Sequence, residues 1–276
     1  MLLKYLINMD RKTKIIATVG PSLSSESKIK KIIDTGANVL RINFSHGTLE
    51  DHENVISWAR KSNKQVAIMQ DIQGPKIRTG ISSENTFLEK SKNVTLTNIE
   101  TESNNDIVFI NYENLLRDIN VDDRVFIDDG QIVLKVVEKE NDILEALILI
   151  GGELRDNQGV AFPDSDLSVS AITNQDIENL KFGTEHDVDF VAVSFVRNAS
   201  DINLVKEIIP KDIKIIAKIE LKTALDNIDE ILDIADGVMV ARGDLGVQLP
   251  LEQVPFVQKQ ILDAANKKGK ISITAT

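Results

Sequence analysis

Apolar positions along this chain fall into two rhythms. From Lys14 to Asp71 short continuous apolar runs alternate with stretches spaced at three and four residues. Lys14–Gly20 reads as a strand. Ser24 is placed to cap a helix that carries Glu26 in its first turn, has Ile29, Ile32 and Ile33 on one face and stops at Gly36. Val39–Asn43 reads as the next strand, Thr48 with Asp51 as a capping box ahead of Val55, Trp58 and Ala59, and Val66–Asp71 as a third strand. Strand, helix, strand, helix, strand predicts a parallel sheet with right-handed crossovers.

The rhythm changes after Gly74 and Pro75. From about Ile81 to Pro163 the apolar residues alternate with polar ones in short runs: Val94–Thr97, Ile107–Ile110, Arg124–Ile127, Ile132–Val137 and Ile143–Ile150, with Asp129-Gly130 as a tight turn. Short strands at this spacing predict an inserted small β barrel.

Helical spacing then returns. Thr173 and Asp176 read as a capping box, Asp189–Phe195 as a strand, Ser200 as the start of a helix with Ile202, Val205, Ile208 and Ile209, and Ile213 as the start of a strand. Thr223 is placed to cap a helix with Leu225, Ile228, Ile231 and Leu232 inward; a strand from Gly237, a helix bearing Val257, Ile261 and Ala264, and a strand from Lys270 follow. Seven strands therefore lie outside the insertion, one short of a (β/α)₈ barrel, which takes about 250 residues. The expected fold is α/β: an incomplete TIM-type barrel in residues 1–79 and 164–276, interrupted by a β-barrel lid in residues 80–163. An unpaired strand edge in such a barrel would favour partner binding or aggregation.

Composition narrows the function. The 43 acidic and 32 basic residues give a net charge of −11, which disfavours nucleic acid or an anionic membrane as partner. An anionic substrate would have to be held by local lysines and arginines. With no cysteine, disulfides and thiolate chemistry are excluded. No apolar run approaches the ~20 residues of a membrane span, and the opening residues 1–8 lack a signal-peptide pattern and read as a frayed tail. A cytoplasmic protein is expected.

Charge at strand ends carries the chemistry. Lys218 and Glu220 stand two apart at the end of one apolar run, and Arg242 and Asp244 at the end of the next. Two ordinary ion pairs would explain them; so would one divalent cation beside a phosphate. Taking the carboxyl ends of all the strands collects Arg41, Asn43 and Ser45; Asp71, Lys76 and Arg78; Ser194 and Arg197; and Thr274 and Thr276 as well. Barrel enzymes place their sites at this mouth, and cations mixed with two carboxylates suit phosphoryl transfer better than hydrolysis of sugars or peptides.

Lys14-Ile-Ile-Ala-Thr-Val-Gly-Pro21, Arg41-Ile-Asn-Phe-Ser-His-Gly47, Gly74-Pro-Lys-Ile-Arg-Thr-Gly80, Asp189-Phe-Val-Ala-Val-Ser-Phe-Val-Arg197, Ala217-Lys-Ile-Glu220, Met239-Val-Ala-Arg-Gly-Asp-Leu-Gly246 and Thr274-Ala-Thr276 follow one another in the order of pyruvate kinase motifs, and from about Thr13 onward the chain resembles that family. The resemblance implies transfer of the phosphoryl group of phosphoenolpyruvate to ADP, giving pyruvate and ATP in glycolysis. It implies Lys218 as the phosphoryl-stabilising cation, and Glu220 with Asp244 as ligands of Mg²⁺ or Mn²⁺. Gly243 and Asp244 would hold the substrate carboxylate through backbone N–H groups, and Thr276 would sit by the substrate where the enolate is protonated. Arg41 and Arg78 would clamp phosphoryl and nucleotide groups, with Thr18 and His46 near ADP. Asn43, Ser45 and Asp71 resemble the monovalent-cation ligands. Lys76 stands where potassium-dependent members carry glutamate, so potassium independence is expected.

The chain departs from the family at Gln158, in place of a lysine, at Ala161 and Asp164, at Leu221–Ala224 and at Gln248. The family also continues into an eighth βα unit, a C-terminal domain and most of its homotetramer interfaces, so the chain reads as an N-terminal portion or truncated form. Two alternatives stand beside an active kinase: an inactive remnant that binds phosphoenolpyruvate, metal or a homologous chain, and another metal-dependent barrel enzyme such as an aldolase.

Overall fold

The computed structural model describes residues 12–62, 64–140 and 143–276. The opening residues 1–8, expected as a tail, lie outside these. One sheet holds seven strands that follow one another in chain order, which makes this an α/β fold of the TIM-barrel class with a separate mixed β sheet inserted. The chain divides into two compact units, one holding residues up to Gln73, Gln175–Ala192 and Ile208–Ile215, the other Gly74–Asn174, Val193–Glu207 and Ile216–Thr276.

In the first unit β1 (Ile16–Val19), α1 (Glu26–Thr35), β2 (Val39–Asn43), α2 (Leu49–Arg60) and β3 (Ala67–Asp71) alternate as the spacing predicts. Thr18 pairs with Arg41 in register and Asn43 with Asp71, so the polar ends of three strands come level. Leu40 and Ile68 are fully buried, with Ile29 and Ile33 of α1 and Val55, Ile56 and Ala59 of α2 covering the sheet. The capping box of α2 forms: the Asp51 N–H donates to Thr48 Oγ1 at 3.2 Å and the Thr48 N–H to Asp51 Oδ2 at 2.9 Å. The cap of α1 is Ser25 and not Ser24, and the Ser25 hydroxyl lies 3.2 Å from that of Ser27 instead of accepting from the helix.

The inserted sheet belongs to the second unit. Its strands are β4 (Phe87–Leu88), β5 (Asn93–Thr97), β6 (Ile107–Phe109), β7 (Arg124–Ile127), β8 (Ile132–Glu140), β9 (Ile143–Ile150), β10 (Gly152–Glu153) and β11 (Val160–Ala161), with α3 (Leu115–Asp118) between β6 and β7. Six of them run in the order β11-β7-β8-β9-β5-β6, and β4 and β10 form a separate ribbon. Alternation at period two buries Val125 and Ile127, Ile132, Leu134 and Val136, and Leu144, Ala146 and Ile148 in one cluster. Each such side chain contributes about 1.5–3 kcal/mol. The Asp129-Gly130 turn forms with both residues at positive φ, 54° and 86°, the twist that a two-residue hairpin needs and glycine tolerates. Arg78 bridges to Gly159 and Thr79 to Ile110. The segment after Gly74-Pro-Lys thus joins the β11 and β6 ends of the sheet and closes the small barrel.

After α4 (Asn174–Glu185) and β12 (Phe190–Val193) come α5 (Ala199–Lys206), β13 (Lys214–Ile219), α6 (Lys222–Asp226), α7 (Ile228–Ile234), β14 (Gly237–Val240), α8 (Arg242–Gln248), α9 (Val254–Lys267) and β15 (Ile271–Thr274). β13, β14 and β15 are parallel, with Lys218 opposite Met239 and Val240 opposite Thr274. Every residue of β14 is buried, as a strand covered on both faces requires. Two expected caps move. Asn198, not Ser200, caps α5, because its Oδ1 reaches the N–H groups of Ser200 and Asp201 at 3.0 and 3.3 Å. Thr223 lies inside α6, and the single helix expected there breaks at Asn227, whose side-chain amide donates to the Arg197 carbonyl at 3.0 Å. Among the described residues no helix is long and apolar enough to cross a membrane.

Candidate active site

On β13 the side chains of Lys218 and Glu220 share one side while Ala217 and Ile219 face the other, both fully buried. Glu220 is only 2 % exposed. A buried carboxylate needs partners, and two strand ends supply them. Lys218 Nζ donates to Glu220 Oε1 at 2.8 Å and to Ser194 Oγ, just past β12, at 2.7 Å. The Phe195 N–H donates to Glu220 Oε2 at 2.7 Å.

Burial pushes the Glu220 carboxyl upward; the Lys218 ammonium opposes it, the Asp244 carboxylate adds to it, and the Lys218 and Phe195 hydrogen bonds oppose it again, leaving the group at about 7. Two neighbouring carboxylates of which one resists ionising are an arrangement that a divalent cation relieves. Among the described residues no group of three or more His, Asp or Glu is placed to hold a metal. The protein's share would be two carboxylates, which suits Mg²⁺, an ion that is commonly held by one or two carboxylates and completes its shell with substrate oxygens.

Asp244 enters on α8, straight after β14, and Arg242 beside it donates from Nε to the Ala275 carbonyl at 2.6 Å. Glu220 and Asp244 line one cavity of about 730 Å³, together with Lys76, Arg78, Asp128 and Phe195. Arg78 is fixed there by donating from its guanidinium to the Asn157 carbonyl at 2.8 Å and from its backbone N–H to Asn111 Oδ1 at 2.6 Å. The cleft is partly apolar and lined by four cations, Lys76, Arg78, Arg197 and Lys222, and by six carboxylates, Glu220 and Asp244 among them, so it offers cations for a phosphate and carboxylates for a divalent ion.

In the first unit Arg41 Nε donates to Asp71 Oδ2 at 2.6 Å and Arg41 Nη1 to Thr18 Oγ1 at 2.9 Å. Asp71 is 1 % exposed, and its charge is met by the half-buried Arg41 guanidinium. Asn43 Oδ1 accepts from the Ser45 N–H at 3.0 Å, shaping the turn that carries His46, which is exposed.

Residues 10–276 match the family model described as the pyruvate kinase barrel domain. The chain belongs to the pyruvate kinase family. It is 44% identical over 274 residues to the pyruvate kinase of Thermotoga maritima, covering 96% of this chain and 59% of that protein. It is 41% identical to the pyruvate kinase of Staphylococcus epidermidis and 42% to that of Staphylococcus aureus, in each case over 96% of this chain and 47% of the relative. The chain thus spans about half the length of the curated relatives it matches.

With the family in hand, the expected residues sort into groups. Glu220, Asp244, Lys76 and Arg78 line one cavity, Lys218 joins them through its ion pair with Glu220 without lining the cavity itself, and Thr18, Arg41 and Asp71 form a second cluster. Gly243 sits beside Asp244 in α8. Thr276 is exposed and is not among the residues lining the cavity. Gln158, where the family has a lysine, turns inward: it is buried, its Oε1 accepting from the Arg155 N–H at 2.9 Å.

Phe195 escaped the sequence reading. Its φ is +53°, a left-handed conformation that costs a bulky residue roughly 1–2 kcal/mol. Its aromatic ring lies over Gly74, itself at φ +67°, where a Cβ would meet Phe195 Cδ2 at 3.0 Å. Asp176, expected in a capping box with Thr173, is fully buried, and its Oδ1 accepts from the Gln73 N–H at 3.2 Å, at the threshold of the Gly-Pro-Lys motif. An acid in a helix's first turn gives no sign of such a distant partner.

Proposed function

We propose that this chain transfers the phosphoryl group of phosphoenolpyruvate to ADP, giving pyruvate and ATP, with Mg²⁺ or Mn²⁺ required and potassium not. The observation that carries the reading is the Lys218–Glu220 ion pair, whose buried Glu220 lines one cavity together with Asp244. Phosphoryl transfer asks a protein for fixed positive charge and alignment more than for a nucleophile. Lys218 supplies that charge, its ammonium kept in place by Ser194 and Glu220. Glu220 and Asp244 are the residues that would hold the divalent ion. Once bound, that ion draws negative charge from substrate oxygens, including the enolate oxygen of the departing pyruvate.

In this reading the backbone N–H groups of Gly243 and Asp244 take the substrate carboxylate, Arg41 clamps the phosphoryl group, and Thr276 serves the protonation of the enolate carbon. Arg78, Thr18 and His46 take the nucleotide. Residues 80–163 act as a lid, and residues 1–79 and 164–276 as the catalytic domain. Potassium independence is supported by two features: Lys76 in place of glutamate, and the Asp71 carboxylate of the Asn43, Ser45, Asp71 group already paired with Arg41.

The test is steady-state turnover of phosphoenolpyruvate and ADP with Mg²⁺, for the wild type and Lys218→Met, with and without potassium. Turnover that is lost in the variant and changes less than about twofold with potassium supports the reading. Metal-dependent binding of phosphoenolpyruvate with no turnover would point instead to a binding protein that has lost catalysis.

A further inference from the structure

Two consecutive residues at the end of β12 each touch one member of the buried pair on β13. Ser194 accepts from Lys218 Nζ at 2.7 Å, and Phe195 donates its backbone N–H to Glu220 Oε2 at 2.7 Å. With the ring and the chain that follows held in place, the left-handed φ of Phe195, +53°, sets the direction of that N–H relative to them. An extended residue there would turn its N–H elsewhere. Nothing intrinsic to phenylalanine favours that conformation, so something outside the backbone holds it. The ring is what the structure offers: it rests against Gly74, and a Cβ at Gly74 would crowd both Phe195 Cδ2, at 3.0 Å, and Ser194 Cβ, at 3.4 Å.

We propose that Ser194 and Phe195 form a positioning clamp on the Lys218–Glu220 pair, with the Phe195 ring, seated on Gly74, anchoring a left-handed backbone that aims its N–H at the Glu220 carboxylate. The inference rests on the functional reading above for what the pair does, but the clamp is a statement about this chain's own geometry. Neither residue touches substrate in this role. Ser194 fixes the ammonium, Phe195 fixes the carboxylate, and together they keep Glu220 turned so that Oε1 meets Lys218 and Oε2 meets the Phe195 N–H.

The clamp makes an unusual prediction about two substitutions. Phe195→Ala keeps the Cβ that disfavours a left-handed backbone and removes the anchoring ring, so the residue relaxes to an ordinary conformation and its N–H leaves Glu220. Phe195→Gly loses the ring too, but glycine adopts positive φ freely and retains the N–H contact. Binding of Mn²⁺ to the intact protein, followed by the electron paramagnetic resonance of free Mn²⁺, should weaken about tenfold in Phe195→Ala and threefold or less in Phe195→Gly. A side chain that served packing alone would give the opposite order, because glycine removes more contacts, and that result would overturn the clamp. Ser194→Ala should lower kcat with Mn²⁺ affinity unchanged, and Ser194→Thr, which keeps the hydroxyl, should restore it; equal loss in both would count against the proposal. If the wild type binds no Mn²⁺, the functional reading fails, and the clamp is then judged from metal-free crystals of the two Phe195 variants. Glu220 displaced in Phe195→Ala and retained in Phe195→Gly upholds it; Glu220 unmoved in both overturns it.

Discussion

Glu220→Gln should make the metal-free protein more resistant to unfolding at alkaline pH than the wild type. In the folded chain burial and the neighbouring Asp244 carboxylate outweigh Lys218 and the Phe195 N–H and hold the Glu220 carboxyl at about 7, against an ordinary 4.5. The folded state therefore grips the proton more tightly than the unfolded one. The stability this gives, about 3 kcal/mol, is fully present below about pH 4.5, declines as pH rises from there and is gone above about 7. Urea unfolding of both proteins from pH 4.5 to 8.5, without divalent metal, isolates the group in the difference between the two curves. Wild type should fall relative to Glu220→Gln by about 3 kcal/mol across that range, mostly between about pH 4.5 and 7, with half of the fall reached near pH 6 and a plateau above about 7. Asp244→Asn should move the midpoint down and Lys218→Met should move it up. A difference that stays flat from pH 5 to 8.5, or that grows in favour of the wild type, would refute the electrostatic account of the site.

Two further predictions concern the scaffold. Asp118 ends α3, where burial favours its neutral form but hydrogen bonds from Tyr112, Ser168 and Arg117 prevail and hold its carboxyl down to about 2 from 3.8. That stability is present above pH 3.8 and disappears as pH falls toward 2, so Asp118→Asn should cost about 2 kcal/mol at neutral pH in urea unfolding. In the first unit a Cβ on Gly183 of α4 would stand 2.1 Å from Gln70 Oε1, in a fully buried side chain whose Nε2 donates to the Asn179 carbonyl at 2.6 Å. Gly183→Ala should destabilise by about 1–3 kcal/mol, and Gln70→Ala in the same chain should recover about 1 kcal/mol or more relative to additivity, measured as a double-mutant cycle.

Much of this molecule was written in the spacing of its apolar residues. All seven parallel strands and the longer strands of the insertion stand where their runs predicted, because a buried strand needs a continuous apolar run and a half-buried one needs alternation. Thr48 with Asp51 was legible because a capping box is local. Ser24, Ser200 and Thr223 misled because any small hydroxyl near a helix start fits the same pattern, and the choice among Ser25, Asn198 and Leu221 is made by the path of the incoming chain. Strand β11 and the ribbon of β4 and β10 were missed, since two residues carry no period. At the site, Lys218, Glu220 and Asp244 announced themselves as charge at the ends of apolar runs. Phe195 did not, because its contribution is an N–H direction set by a backbone angle. The Arg41–Asp71 pair was hidden for another reason: two residues that looked like separate ligands neutralise each other across adjacent strands.

The central claim is that the phosphoryl group passes from phosphoenolpyruvate to ADP at Lys218. Phosphorus-31 magnetic resonance on one sample of the protein with Mg²⁺, phosphoenolpyruvate and ADP follows that group directly. The account predicts that the phosphoenolpyruvate signal declines in step with the growth of the ATP signals, without inorganic phosphate, and that Lys218→Met abolishes the change. A phosphoenolpyruvate signal that persists in the wild type, one that decays to inorganic phosphate, or turnover that survives in Lys218→Met would contradict it.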